Sequence, residues 1–248
     1  MENNNEKLLK EYAERYETPD FLPADPSWFM HQVAGQLNQE TMAFIASCLS
    51  YGNRKQFFPK IQYVLDCSGG NVHEWVSNGR FDADIPADDK CYYRLYTRRT
   101  MNTFLHALRD MIAEYGSIGE FVRSNASDGY SAVAAICNFF ATKGIEVIIP
   151  KNTQSACKRV CMFLRWMVRD NSPVDLGLWS SFIDKRTLIM PMDTHVVQQA
   201  CRLGLLTSRS GSMAAARKLT ARMSEIFPDD PLKGDFALFG YGVNKGGE

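Results

Sequence analysis

No stretch of this chain is apolar for long enough to cross a bilayer, which takes about 20 predominantly apolar residues. The opening Met1-Glu-Asn-Asn-Asn-Glu-Lys7 is polar and lacks the apolar core of a signal peptide. Both absences point to a cytoplasmic protein without a membrane partner. There is no net charge, because 28 basic and 28 acidic side chains balance. Histidines number only four, and the seven cysteines form no Cys/His cluster that could complete a zinc tetrad. An odd cysteine count without an export signal also argues against a disulfide framework. The cysteines read instead as small buried hydrophobes. Strand-like content is almost missing: only Gly144-Ile-Glu-Val-Ile-Ile-Pro150 is rich in β-branched residues, and Pro150 makes it an extended connector. Internal repeats and low-complexity tracts are absent.

What remains fits helical spacing nearly everywhere, so the expected fold is all-α. With 248 residues, 45% of them hydrophobic and 23% charged, the chain can bury one large core or two smaller ones. The charge is unevenly spread. Residues 1–40 carry three basic and eight acidic side chains, whereas residues 151–248 carry fourteen basic and nine acidic. A basic C-terminal portion permits an anion-binding face without demanding one.

In chain order, an acidic helix is expected over 6–17, broken by Pro19, Pro23 and Pro26. Residues 39–50 are apolar nearly all round, as a central core helix would be. Gly52 and Asn53 suit a tight turn, with Arg54 and Lys55 opening the next helix. Further helices are expected at 72–77, 91–115, 117–124 and 129–142, with Arg94, Arg98 and Arg99 as surface charges on the second of these. Thr153 is a candidate N-cap for a basic helix to about Asp170. It carries an apolar stripe of Ala156, Val160, Phe163 and Met167, and another face of Lys158, Met162, Arg165 and Arg169. Asp193 is a good N-cap for a helix through Arg202, and Ser210 or Ser212 starts another that ends near Phe227. A last helix opens at Asp235 and is stopped by Gly240 and Gly242.

Lys158 and Asp193 are the candidate catalytic pair. A lysine becomes a nucleophile when desolvation or a nearby positive field weakens its hold on the proton. Lys158 stands beside Arg159 and near the positive end of a helix. Such an amine can attack a sugar C1′, displace a base and leave a Schiff base, while a carboxylate stabilises the developing cationic charge and shuttles protons. Plainer readings exist for each residue. A lone lysine on a helix is most often a solvated charge, Asp193 a simple cap, and Trp166 core. Asp193 and His195 suggest metal ligation, but no third ligand is evident, so no metal is assigned.

Met192-Asp-Thr-His-Val-Val-Gln-Gln-Ala-Cys-Arg-Leu-Gly-Leu205 resembles the segment around the catalytic aspartate in the helix-hairpin-helix DNA glycosylase superfamily, which includes endonuclease III and the 8-oxoguanine glycosylases. Ser155-Ala-Cys-Lys-Arg159 looks like the start of the helix that carries the lysine nucleophile there. Thr41–Lys55 resembles the early core helix and the following DNA-probing loop. The chain also resembles a bacterial family related to these enzymes, in Lys158-Arg-x-x-Met-Phe-Leu-Arg-Trp-Met-Val-Arg169 and Asp235-Phe-Ala-Leu-Phe-Gly240. The resemblance spans most of residues 39–242.

It implies two helical lobes with an active-site cleft between them: residues 40–187, and residues 1–39 together with 188–248. It implies a base-excision repair glycosylase with lyase activity on double-stranded DNA, acting as a monomer on an oxidised purine such as 8-oxoguanine. Lys158 would form the Schiff base and Asp193 would be the catalytic carboxylate. Met162 would line the base pocket, and Phe236 or Phe239 would stack on the extruded base. Extrusion is needed because C1′ cannot be reached in a stacked duplex. Gly52, Asn53, Arg54, Lys151, Thr153 and Arg159 would contact DNA.

This sequence departs from the superfamily in three places. The usual Leu-Pro-Gly-Val-Gly hairpin is replaced by Ile149-Pro-Lys-Asn-Thr-Gln154, where helix-start amides and Lys151 would hold a phosphate. The Lys158–Asp193 separation looks more like the archaeal 8-oxoguanine glycosylase branch. No C-terminal cysteine cluster exists, so no iron–sulfur cluster or other cofactor is expected. The competing readings are a non-catalytic nucleic-acid-binding helical protein and an interaction protein whose site has decayed.

Overall fold

A computed structural model describes residues 4–245. These residues are mostly helical: α1 (Asn4–Tyr16), α2 (Gln36–Leu49), α3 (Arg54–Ser68), α4 (Val72–Ser77), α5 (Phe81–Asp84), a hairpin of β1 (Cys91–Tyr93) and β2 (Tyr96–Thr97), α6 (Arg98–Tyr115), α7 (Ile118–Asn125), α8 (Gly129–Ala141), α9 (Lys158–Val168), α10 (Thr194–Arg202), α11 (Met213–Ile226) and α12 (Lys233–Lys245). No described helix is long and apolar enough to cross a membrane.

The chain forms two compact units. One gathers residues 1–23, 127–133 and 153–248; the other holds residues 24–126 and 134–152. This division differs from the lobes expected at 40–187 and 1–39 with 188–248. The lysine helix α9 groups with both chain ends, because buried ion pairs tie its arginines to Glu17, Asp230 and Asp235.

The second unit is built on α2, in which every residue from Glu40 to Leu49 is buried. Phe44 stacks on Phe140 at 5.4 Å and lies against Phe104 at 5.9 Å, forming an aromatic centre. Glu40 can be buried here because Oε1 accepts the Ile118 amide at 2.7 Å, one of the donors a helix start leaves unpaired. Ser117 accepts from Glu120 N and satisfies a second.

The expected helix over 91–115 begins only at Arg98. Residues 91–97 instead pair as an antiparallel hairpin, Cys91 opposite Thr97 and Tyr93 opposite Tyr96. Arg94 turns the corner at φ +51°, a conformation that ends any helical path. Its guanidinium lies 4.7 Å over the Tyr51 ring and fills the space where a Cβ at Gly52 would stand. Gly52 itself has φ +84°. Arg98 and Arg99, expected as surface charges, lie at the surface and pair with Asp88 and Asp89.

In the first unit, α12 packs on α1 and α10. The expected stop at Gly240 and Gly242 is not found, and the helix runs on to Lys245. Those glycines serve close approach rather than termination. A Cβ at Gly240 would run into the Tyr16 ring, and one at Gly242 would stand 3.2 Å from Gln199 Nε2. Gly240→Ala is therefore expected to destabilise by about 1–3 kcal/mol through overpacking, despite alanine's better helix propensity. Thermal melting checks this: in a Tyr16→Ala background the same change should become neutral or stabilising.

Candidate active site

The lysine helix starts later than Thr153. Thr153 and Gln154 lie in a turn, and the next residues meet 211–213: Ser155 bridges Ser212, Ala156 N donates to Gly211 O at 2.9 Å, and Met213 N donates to Gln154 O. Cys157 then turns through φ +47°, and α9 begins at Lys158 itself. The amine is thus carried on the first helical residue, directly after a non-glycine residue in left-handed conformation. Such positions cost on the order of 1–3 kcal/mol and cluster at functional sites.

Asp193 follows Pro191-Met192, donates its amide to Pro191 O at 3.2 Å, and caps α10, Oδ1 accepting Val196 N at 2.7 Å. Its other oxygen faces the amine, with Lys158 Nζ 3.9 Å from Oδ2. The two side chains are 36% and 35% exposed. At that separation the charges attract without a direct hydrogen bond, so the amine is held close but not engaged. Half-exposed pairs of this kind contribute about 0–1 kcal/mol to stability, so the fold does not require it.

Met162 lies one turn beyond Lys158 on the same helix face and is nearly buried. Cys161 is the neighbouring thiol. Burial pushes its pKa far up, which makes it a poor nucleophile. No group of three or more His, Cys, Asp or Glu side chains among the described residues could hold a metal. His195 is exposed.

Arg165 and Arg169, read from the sequence as part of a basic face, are buried. Arg169, 1% exposed, bonds Asp230 through Nε at 2.9 Å, Glu17 through Nη2 at 2.7 Å, and Asp175 through Nη1. Arg165 bonds Asp175 at 3.3 Å and Asp235. Burial works against the Arg169 charge, but Asp175, Asp230 and Glu17 outweigh it and raise its pKa above the ordinary arginine value. These arginines anchor the lysine helix and are not offered to solvent.

Phe236 is 1% exposed and sits under both guanidiniums, at 4.7 and 5.3 Å, with Phe21 at its edge. It belongs to this anchor, which leaves it no free face for stacking on a base. Phe239, 39% exposed, packs by its edge on Tyr16 and Phe21 and keeps an accessible ring.

The candidate DNA contacts fall in both units. In the second, Gly52 and Arg54 are exposed, Asn53 caps α3 by accepting Lys55 N at 2.9 Å, and Lys151 is exposed. In the first, Arg159 is half-buried and Thr153 shares a hydrogen bond with Tyr130 at 3.1 Å. The Arg94–Tyr51 stack beside Gly52 was not expected from the sequence; the run of tyrosines before Arg98 was the available signal. The second unit also holds a cavity of about 200 Å³, lined by Lys60, Tyr63, Asp84, Tyr92 and Arg98 among others. None of the residues singled out from the sequence as catalytic, base-pocket or DNA contacts lines it.

A family model described as "Protein of unknown function (DUF2400)" matches residues 25–244. No curated protein and no solved structure matches the chain.

Proposed function

Because the chain belongs to the DUF2400 family, whose description assigns no activity, we propose its function from the site: a DNA glycosylase with associated lyase activity. In this reading the chain is a helix-hairpin-helix glycosylase-like protein with a cleft between two helical lobes. The observation that carries it is the approach of Lys158 Nζ to within 3.9 Å of Asp193 Oδ2, from positions thirty-five residues apart. An amine and a carboxylate within reach of each other and of solvent, joined by a contact that adds little stability, are what a Schiff-base lyase requires.

The steps follow from that geometry. A damaged nucleotide leaves the stack so that its C1′ can be reached. Asp193 Oδ2 takes a proton from the lysine ammonium. The amine lone pair forms the N–C1′ bond, the electrons of the glycosidic bond leave with the base, and Asp193 passes its proton to that base; the carboxylate, charged again, stabilises the cationic nitrogen on C1′. Breaking C1′–O4′ then gives the protonated Schiff base and a free 4′-hydroxyl. Loss of a C2′ proton expels the 3′ phosphate and nicks the strand.

An oxidised purine such as 8-oxoguanine is the proposed substrate, and its support is the resemblance around Asp193. Met162 would line the base pocket, and Phe239 is the ring left free to stack. The test is strand nicking on labelled duplexes carrying 8-oxoguanine, uracil or an abasic site. The reading expects nicking of the 8-oxoguanine and abasic strands. Salt-sensitive binding of all three without nicking would replace it with a non-catalytic DNA-binding protein.

A further inference from the structure

From Thr194 to Ser224 the sequence holds Arg202, Arg209, Arg217, Lys218 and Arg222 and no acidic residue, in a chain whose total charge is zero. Arg222 pairs with Glu225 just beyond the run. Arg217, exposed on α11, pairs with no carboxylate among the described residues. Its guanidinium lies instead over the ring of Tyr130, 5.3 Å from the centroid. Tyr130 is 36% exposed, and its hydroxyl meets the Thr153 hydroxyl at 3.1 Å.

We propose that Arg217, Tyr130 and Thr153 form a grip for one backbone phosphodiester of DNA. Stacking occupies the face of the guanidinium and leaves its N–H edge free for a planar, two-point contact with phosphate oxygens. The ring also fixes the direction of that edge, so less side-chain freedom is lost on binding. Two hydroxyls joined by one hydrogen bond use only one of their two protons. Whichever of Tyr130 and Thr153 donates, the other keeps an O–H to give to the same anion.

The platform is rigid. Gly129 N donates to Thr187 Oγ1 at 2.8 Å, and a Cβ at Gly129 would collide with the 187–188 backbone, so the start of α8 is clamped. The Ser155–Ser212 bridge, two residues after Thr153, pins this segment to the start of α11. Thr153 also precedes the Lys158 amine by only five residues.

The grip rests on the glycosylase reading, and salt-dependent binding of the full chain to a duplex with a reduced abasic analogue separates the two. For Arg217→Ala and Arg217→Gln, the slope of log binding constant against log salt should shrink by about 1, with severalfold weaker binding at low salt. Arg217→Lys should recover the slope but not the full affinity. Unchanged slopes in both charge-removing variants, with a wild type that nicks DNA, would overturn the grip alone. A wild type that binds no duplex at any salt concentration would overturn both.

Discussion

Lys158→Gln is expected to lower nicking of an abasic strand by on the order of 10³-fold or more, the scale seen when a covalent nucleophile is removed. The variant melts with the wild type, because a pair about one-third exposed contributes at most about 1 kcal/mol. Asp193→Asn separates the two jobs of that side chain. Asparagine still caps a helix well, so the bond to Val196 N and the α10 start survive. The charge facing the amine does not, and the rate falls by about 10²–10⁴-fold, as for loss of a general acid or base. Nicking at the wild-type rate in either variant contradicts the assignment.

Arg169→Met produces the largest loss of stability. It removes the guanidinium that Asp230, Glu17 and Asp175 share and leaves those carboxylates buried without it. Breaking a buried pair from one side costs about 3–5 kcal/mol. For a chain of this length that is a drop in melting temperature on the order of 10 °C. Lysine does not rescue it, since one ammonium cannot reproduce contacts from Nε, Nη1 and Nη2 in one plane. Thermal and urea denaturation read the effect, and a melting point within 2 °C or so of wild type would show that the network does not anchor α9.

Local signals were legible where a helix boundary depends on its own side chains. Asp193 and Ser212 cap the helices they were expected to start. The mostly helical character was legible from the helical spacing of the apolar residues. The misreadings arose where a distant segment decides. Thr153 looked like a cap, but it lies in a turn, residues 155–156 are held by 211–212, and the helix waits for Lys158. Gly240 and Gly242 looked like stops, but α1 and α10 press against them. Arg165 and Arg169 looked like a basic face, because nothing local announces that Glu17, Asp230 and Asp235 come to meet them. The hairpin at 91–97 was hidden because its seven residues lack β-branched content apart from Thr97 and suit helical spacing equally well.

The candidate site divides in the same way. Asp193 announces itself by its capping position, and its orientation toward the amine follows from using one oxygen for the cap and leaving the other free. Phe236 could not be placed from sequence, since the two guanidiniums that cover it lie on α9, some seventy residues earlier. The Tyr130–Arg217 stack was likewise invisible, joining the start of α8 to α11.

The central claim is that the Lys158 amine becomes covalently joined to a sugar carbon. Reduction with borohydride during incubation with an abasic duplex, followed by peptide mapping, tests it directly. The expected product is a DNA-linked peptide modified at Lys158. A crosslink mapped to another lysine, or no crosslink at all, would contradict it.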